Sequence, residues 1–158
     1  MPGRFFSNRD LKLFDKFNKE LINNIVSQTC IWYKISAEHT ETNMYGESSK
    51  GGKVYRPGVE LSSLITSEDF DWETDEWGPD SNQSVEFAFH RQSLIDISST
   101  NPVVIEVGDI LEWNYAYFEV DTINENQLIG GDVDKNFGVV ASTHLTRLSR
   151  LNITERQL

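Results

Sequence analysis

The sequence predicts a mainly β protein, a small antiparallel β-barrel or sandwich with one N-terminal amphipathic α-helix and long polar loops. Two patterns carry that expectation. From Thr29 onward, short runs rich in aromatic and β-branched residues recur at close spacing, separated by Gly, Pro, Asn and Asp. Helical periodicity appears before Thr29, and no second long helix follows. The chain of 158 residues is long enough for one domain with a real core. Residues 1–28 are expected to form a docking or packing helix, and residues 29–158 the β-barrel-like domain.

The helix has a start signal. Ser7 is a candidate N-cap, with Asp10 three residues on as in a capping box. Leu11, Phe14, Phe17, Leu21, Ile22 and Ile25 then recur at spacings of three and four, which predicts one apolar face over about four turns. Arg9, Lys12, Lys16 and Lys19 lie between them, so the helix is locally basic in an acidic chain. It either packs on its own domain or docks partly on a neighbour. Lys12, Phe14, Lys16 and Phe17 are the candidate docking residues.

The strands follow in order. Thr29 to Ile35 is strand-like, and the polar stretch from Glu38 to Lys53 reads as a long exposed loop. A strand returns at Val54-Tyr55, breaks at Pro57-Gly58 and resumes at Val59 to Leu61. Asp69 to Pro79 reads as a second, acidic loop. Ser84 to Leu94 contains Val85 to His90, where apolar residues alternate, as in a half-buried strand. Ile110 to Trp113 and Ala116 to Val120 flank a tight Asn114-Tyr115 turn and predict a β-hairpin. Gly108 and Asp109 precede it. A further strand is expected at Gln127 to Ile129, and a last one from Val139 to Leu151.

Charge and composition exclude several function classes. Lys+Arg 14 against Asp+Glu 25 gives a net charge of -11, the wrong sign for a general duplex-binding protein. No apolar run approaches the ~20 residues of a membrane helix. The N-terminus shows no secretory h-region. The single cysteine, Cys30, allows no internal disulfide and fits a reducing compartment.

Catalytic and metal signals are weak. His39, His90 and His144 form no pattern with one another or with Cys30 that matches a zinc site, and read as structural or surface residues. Asp132 to Gly138 begins like a calcium loop. Yet Phe137 stands where glycine is needed and Thr143 where a bidentate Glu is needed. Cys30 reads as a small buried hydrophobe. No enzymatic activity, cofactor or metal is expected.

The charge pattern is more informative. Between Pro57 and His90 there is no Lys or Arg, while Trp72 and Trp77 are interleaved with acidic residues. Asp69, Asp71, Trp72, Glu73, Asp75, Glu76 and Trp77 are candidate interface or channel-loop residues, because large aromatics concentrate at interfaces. Basic residues cluster elsewhere, at Arg9 to Lys19 and at Arg147, Arg150 and Arg156. Copies packed head to tail could pair the two signs around a ring.

Several blocks together resemble the neck protein family of T4-like tailed bacteriophages. They are Val54 to Gly58, Asp75 to Pro79, Val107 to Asn114, Tyr117 to Asp121, Glu125 to Gln127, Phe137-Gly138 and Thr143 to Arg147. The resemblance covers roughly Val54 to Ile153. It implies a structural virion protein of the neck, assembled in the bacterial cytoplasm. Such a protein closes the DNA-filled head below the portal and offers the tail its docking surface. The implied partners are other copies of itself in a ring of six or twelve, a portal or adaptor protein, and a tail terminator or tail-completion protein. DNA passes through without specific binding, and no membrane is involved. Acidic walls suit that passage, since they repel phosphates. Gly108, Asp109, Trp113 and Tyr117 are expected to shape the hairpin. Two other readings stay open: a tail-completion or terminator protein, and a stand-alone acidic β-barrel that binds another protein or a small ligand.

Overall fold

The computed structural model describes residues 7–36, 38–40, 52–67, 71–75, 78–97, 103–125, 136–147 and 151–153. Helix α1 spans Asn8–Glu20. Ser7 caps it as expected. Its hydroxyl accepts from the Asp10 amide at 3.3 Å and donates to the Asp10 carboxylate at 2.8 Å. The helix widens into a π-helical segment, Leu21–Val26, and stops where Ser27 turns left-handed at φ 49°.

The main sheet contains β1 (Thr29–Tyr33), β3 (Val59–Ser62), β4 (Leu64–Ser67), β7 (Ser84–His90), β8 (Ile110–Trp113), β9 (Ala116–Asn124) and β10 (Gly138–Thr146). Its order is β3-β1-β8-β9-β10-β7-β4, with every pairing antiparallel. The mainly β expectation holds, but the sheet is not closed into a barrel, because no ladder joins β3 to β4. The two edges are consecutive in the chain, with Ser63 alone between them. The sheet must therefore curl until both edges reach one residue. Ser63 is fully buried there; its amide donates to the Gln28 carbonyl at 2.9 Å.

The concave face holds the core. Alternation along the strands sends Cys30, Trp32, Leu61, Val85, Phe87, Phe89, Leu111, Phe118, Val120, Val139 and Ala141 into one cluster. Phe87 meets Phe118 edge to face, with ring centroids 6.0 Å apart. A short helix absent from the sequence expectation, α2 (Arg91–Ile97), follows β7 and adds Leu94 to this core.

The opposite face of β1 and β8 is covered too. There β2 (Lys53–Val54) pairs in parallel with β11 (Leu151–Asn152). Tyr55, Leu151 and Ile153 pack with Tyr33, Ile35, Ile110 and Tyr117. The expected final strand is thus two elements, β10 and β11. Gly58 lets the chain cross this layer: a Cβ there would lie 2.5 Å from Ile31 Cγ2 and 2.8 Å from Tyr33 Cε1.

The acidic segment is not a plain loop. β5 (Asp71–Asp75) and β6 (Gly78–Asn82) form a separate antiparallel pair. The strand expected at Gln127 to Ile129 and the calcium-like stretch from Asp132 lie outside the described residues, apart from the stretch's end at Asn136 to Gly138.

Candidate functional site

The residues expected to shape the hairpin converge on one buried carboxylate. Gly108 has φ +89°, a conformation that glycine adopts without steric cost. Its amide donates to the Val120 carbonyl at 2.9 Å, and the Val120 amide returns a bond to the Asp109 carbonyl at 2.9 Å. The fully buried Asp109 side chain accepts from Trp32 Nε1 at 2.9 Å, the Glu106 amide at 2.9 Å and the Ile35 amide at 3.1 Å. Lys34 Nζ stands 3.7 Å away. Three N–H donors and a nearby cation surround this carboxylate. Asp109 therefore ties β1, the 103–109 segment and β9 into one body. Its arrangement is structural, because its acceptor positions are occupied by the chain itself.

Helix α1 is arranged differently. It rests on the body through polar contacts. Asp15 accepts from His90 Nε2 at 2.8 Å, Lys19 pairs with Asp96 at 2.7 Å, and Asn23 donates to Ser93 Oγ at 3.2 Å. The Lys19 ammonium, bonded directly to Asp96, holds that carboxyl below its ordinary range. His90 is fully buried. Its Nδ1 accepts the Ser93 amide at 3.2 Å and so caps α2, which leaves the Nε2 proton for Asp15.

The expected single apolar face of α1 is split. Leu11 is buried, whereas Phe14, Phe17, Leu21 and Ile25 are 46%, 61%, 42% and 71% exposed. At about 100° per residue, Leu11, Asp15 and Lys19 share the inward side, Phe17 lies opposite them, and Phe14 and Leu21 lie on one flank. Lys12 and Lys16 are exposed and make no ion pair with the described residues. The four candidate docking residues are all exposed, but Lys12 and Lys16 lie on the other flank of α1, round the helix from Phe14 and Phe17.

The candidate acidic residues are only partly placed. Asp71, Trp72, Glu73 and Asp75 lie on β5, where the register sets Glu73 opposite Asp80 and Trp72 opposite Ser81. Asp69, Glu76 and Trp77 fall outside the described residues.

A second acidic surface escaped the sequence reading. In register, Ile31 of β1 lies opposite both Glu60 of β3 and Glu112 of β8. The three residues share a face, with the backbones of Glu60 and Glu112 about 10 Å apart across two strand spacings. They line an open groove of about 230 Å³ with Trp113, Asn114 and Tyr115. Tyr33 Oη donates to Glu112 at 2.6 Å. Tyr115 is 91% exposed and has φ +63°; Asn114 before it has φ +50°. Positive φ at both central residues is what a type I′ turn requires, and glycine normally takes the second position. A tyrosine held there, fully in solvent, is uncommon for so bulky a side chain. The signal in the sequence was Asn-Tyr where Asn-Gly is the favoured pair.

The other histidines are locally engaged. His39 Nδ1 meets Ser36 Oγ at 2.8 Å, and His144 Nδ1 lies 2.8 Å from Asp121. Among the described residues no cluster of three His, Cys, Asp or Glu could hold a metal ion. No helix among them is long and apolar enough to cross a membrane. Cys30 is buried, and burial pushes its thiol up to about 11.

No protein-family model matches the chain, and no curated protein matches it. Among solved structures, a chain of the virion of the native gene transfer agent (GTA) particle is similar at 7% identity. The match has a TM-score of 0.48 and covers 74% of this chain and 91% of that one. An identity this low transfers no residue role.

Proposed function

We propose that this chain is a structural component of a tailed-phage virion, acting at the neck as a homo-oligomeric ring. In this role it closes the DNA-filled head below the portal and presents the docking surface for the tail. One observation carries the reading: α1 is fastened to a firmly built body by polar bonds while Phe14 and Phe17 stay exposed. Burial of apolar surface stabilises a fold, so a helix that keeps two phenylalanines outside is organised for contact with another molecule. The sequence blocks that resemble neck proteins add to this reading. They fall largely on β8, β9 and β10, the centre of the sheet. The net charge of -11 suits a ring through which DNA slides without being held.

The test uses tailless, DNA-filled heads that lack this protein. The purified chain is immobilised, and a lysate containing such heads and free tails is passed over it. Retention of heads, seen in negative stain, with infectivity restored on adding the protein, supports the neck. Retention of tails alone moves the chain to tail completion. Retention of neither, with infectivity unchanged, leaves an independent acidic binding module.

A further inference from the structure

Helix α1 carries a row of apolar side chains that its own body does not use. Leu13, Phe17, Leu21 and Ile25 follow one another at four-residue spacing, the row that forms a ridge along a helix. Phe14 stands beside it. All five are exposed, and Leu13, Phe17 and Ile25 by more than half. The π-helical segment keeps Ile25 in the row, because its wider winding offsets the sideways drift that four-residue spacing has in an α-helix. Lys16 and Glu20, both exposed, lie together on the flank away from Phe14.

We infer that the free chain pairs with a second copy through this row. The two α1 helices lie antiparallel, with Phe17 against Phe17 at the two-fold axis and Leu13 of one copy opposite Leu21 of the other. A two-fold contact occupies the same face on both copies and closes on itself, so it does not extend into a ring. It describes the chain in solution and does not rest on the neck reading. Where that reading holds, docking on the head dissolves the pair and frees α1.

Three observations favour a second copy over an unrelated partner. The first is area. With roughly 200 Å² on a large side chain, five that stand about half in solvent leave about 500 Å² on each copy. Two such faces bury about 1,000 Å² together, the small end of specific interfaces, so the pair is weak, with a Kd of about 10–100 µM. The second is local charge. A chain of net charge -11 repels its own copies, but Asn8–Glu20 carries four basic and three acidic side chains, so two copies approach here without that repulsion. The third is charge order. In an antiparallel pair the same flank of each helix meets. About the Phe17 axis, Glu20 of one copy then stands about 3 Å along the helix from Lys16 of the other, twice per pair. In a parallel pair that flank would meet Phe14 and Asn18, leaving both charges unmatched. The bonds from Asp15, Lys19 and Asn23 to the body hold the row outward for this contact.

Sedimentation equilibrium over about 2–500 µM tests it. The unsubstituted protein is expected to pass from monomer at the low end to dimer at the high end. F17S should raise the Kd at least tenfold and K16E at least several-fold, and K16E/E20K should restore it. Direction is read by oxidising cysteine variants, since native Cys30 is buried. L13C mixed with L21C should give a cross-linked dimer, and neither variant alone should. A monomer at every concentration, or a dimer that F17S leaves unchanged, overturns the pair. A cross-link in L13C alone, or a K16E/E20K protein as weak as K16E, overturns the antiparallel arrangement. Head retention is measured separately, so loss of the pair and loss of the neck reading are told apart.

Discussion

Around Asp109 the chain buries a charge among apolar side chains and gives it three N–H donors. Along α1 it does the reverse, keeping polar side chains for the body and turning phenylalanines to solvent. The first arrangement is costly unless every donor is satisfied, so it fixes one geometry. The second gives up apolar burial within the monomer and leaves it for an encounter with another molecule. One region is built for uniqueness, the other for attachment.

The largest effect is expected from breaking the first region. D109A leaves the buried Trp32 N–H and the part-buried amides of Ile35 and Glu106 without their acceptor and should cost about 3–5 kcal/mol in urea unfolding. D109N keeps one acceptor oxygen and should cost clearly less. Equal losses would mean that volume, not hydrogen bonding, holds the junction.

G58A comes next. Its Cβ would meet Ile31 and Tyr33 at 2.5 and 2.8 Å, so the covering layer must lift, at about 1–3 kcal/mol. D15A probes the boundary between the two regions. It strips the acceptor from the buried His90 proton, which should cost about 1–2 kcal/mol. It should also speed proteolysis within α1 while leaving the sheet protected.

Cys30 reports on the core without mutation. With the thiol raised from 9.0 to about 11, the thiolate at pH 8 is about 100-fold scarcer in the folded chain. Alkylation of native protein should be slower than that of urea-unfolded protein by at least that factor. The unfolded chain releases this proton from about pH 9, whereas the fold holds it until about 11. Stability should therefore fall as pH rises through that window. Tyr55, also raised by burial and by Glu119 and Asp109, pushes in the same direction.

Much of the body was legible because its elements obey local rules. Ser7 and Asp10 marked the start of α1, alternation marked β7, and Asn114-Tyr115 marked the hairpin. What escaped depends on distant partners. Periodicity grouped Leu11 with Phe14 and Phe17, since spacing shows which residues are apolar but not which side meets the body. The inward side of α1 is set by His90, Ser93 and Asp96, some 70 residues away in the chain. Helix α2 is seven residues long, too short for a periodic signal, and is capped by a histidine rather than by Ser or Asp. The groove needs Glu60, Ile31 and Glu112 from three strands, and only the sheet register brings them together. The barrel expectation erred for a related reason: strand number was readable, but closure turns on a single buried residue, Ser63, where the chain passes from one edge to the other.

The smallest effect on stability is expected where the functional effect is largest. The most direct measurement is a side-by-side comparison of F17S and the unsubstituted protein in urea unfolding and in retention of tailless heads. Unfolding should agree to within about 0.5 kcal/mol, as for an exposed position, while head retention is lost. F17S that unfolds several kcal/mol more easily, or that holds heads as well as the unsubstituted protein, would contradict the division between a self-sufficient body and a helix kept for attachment.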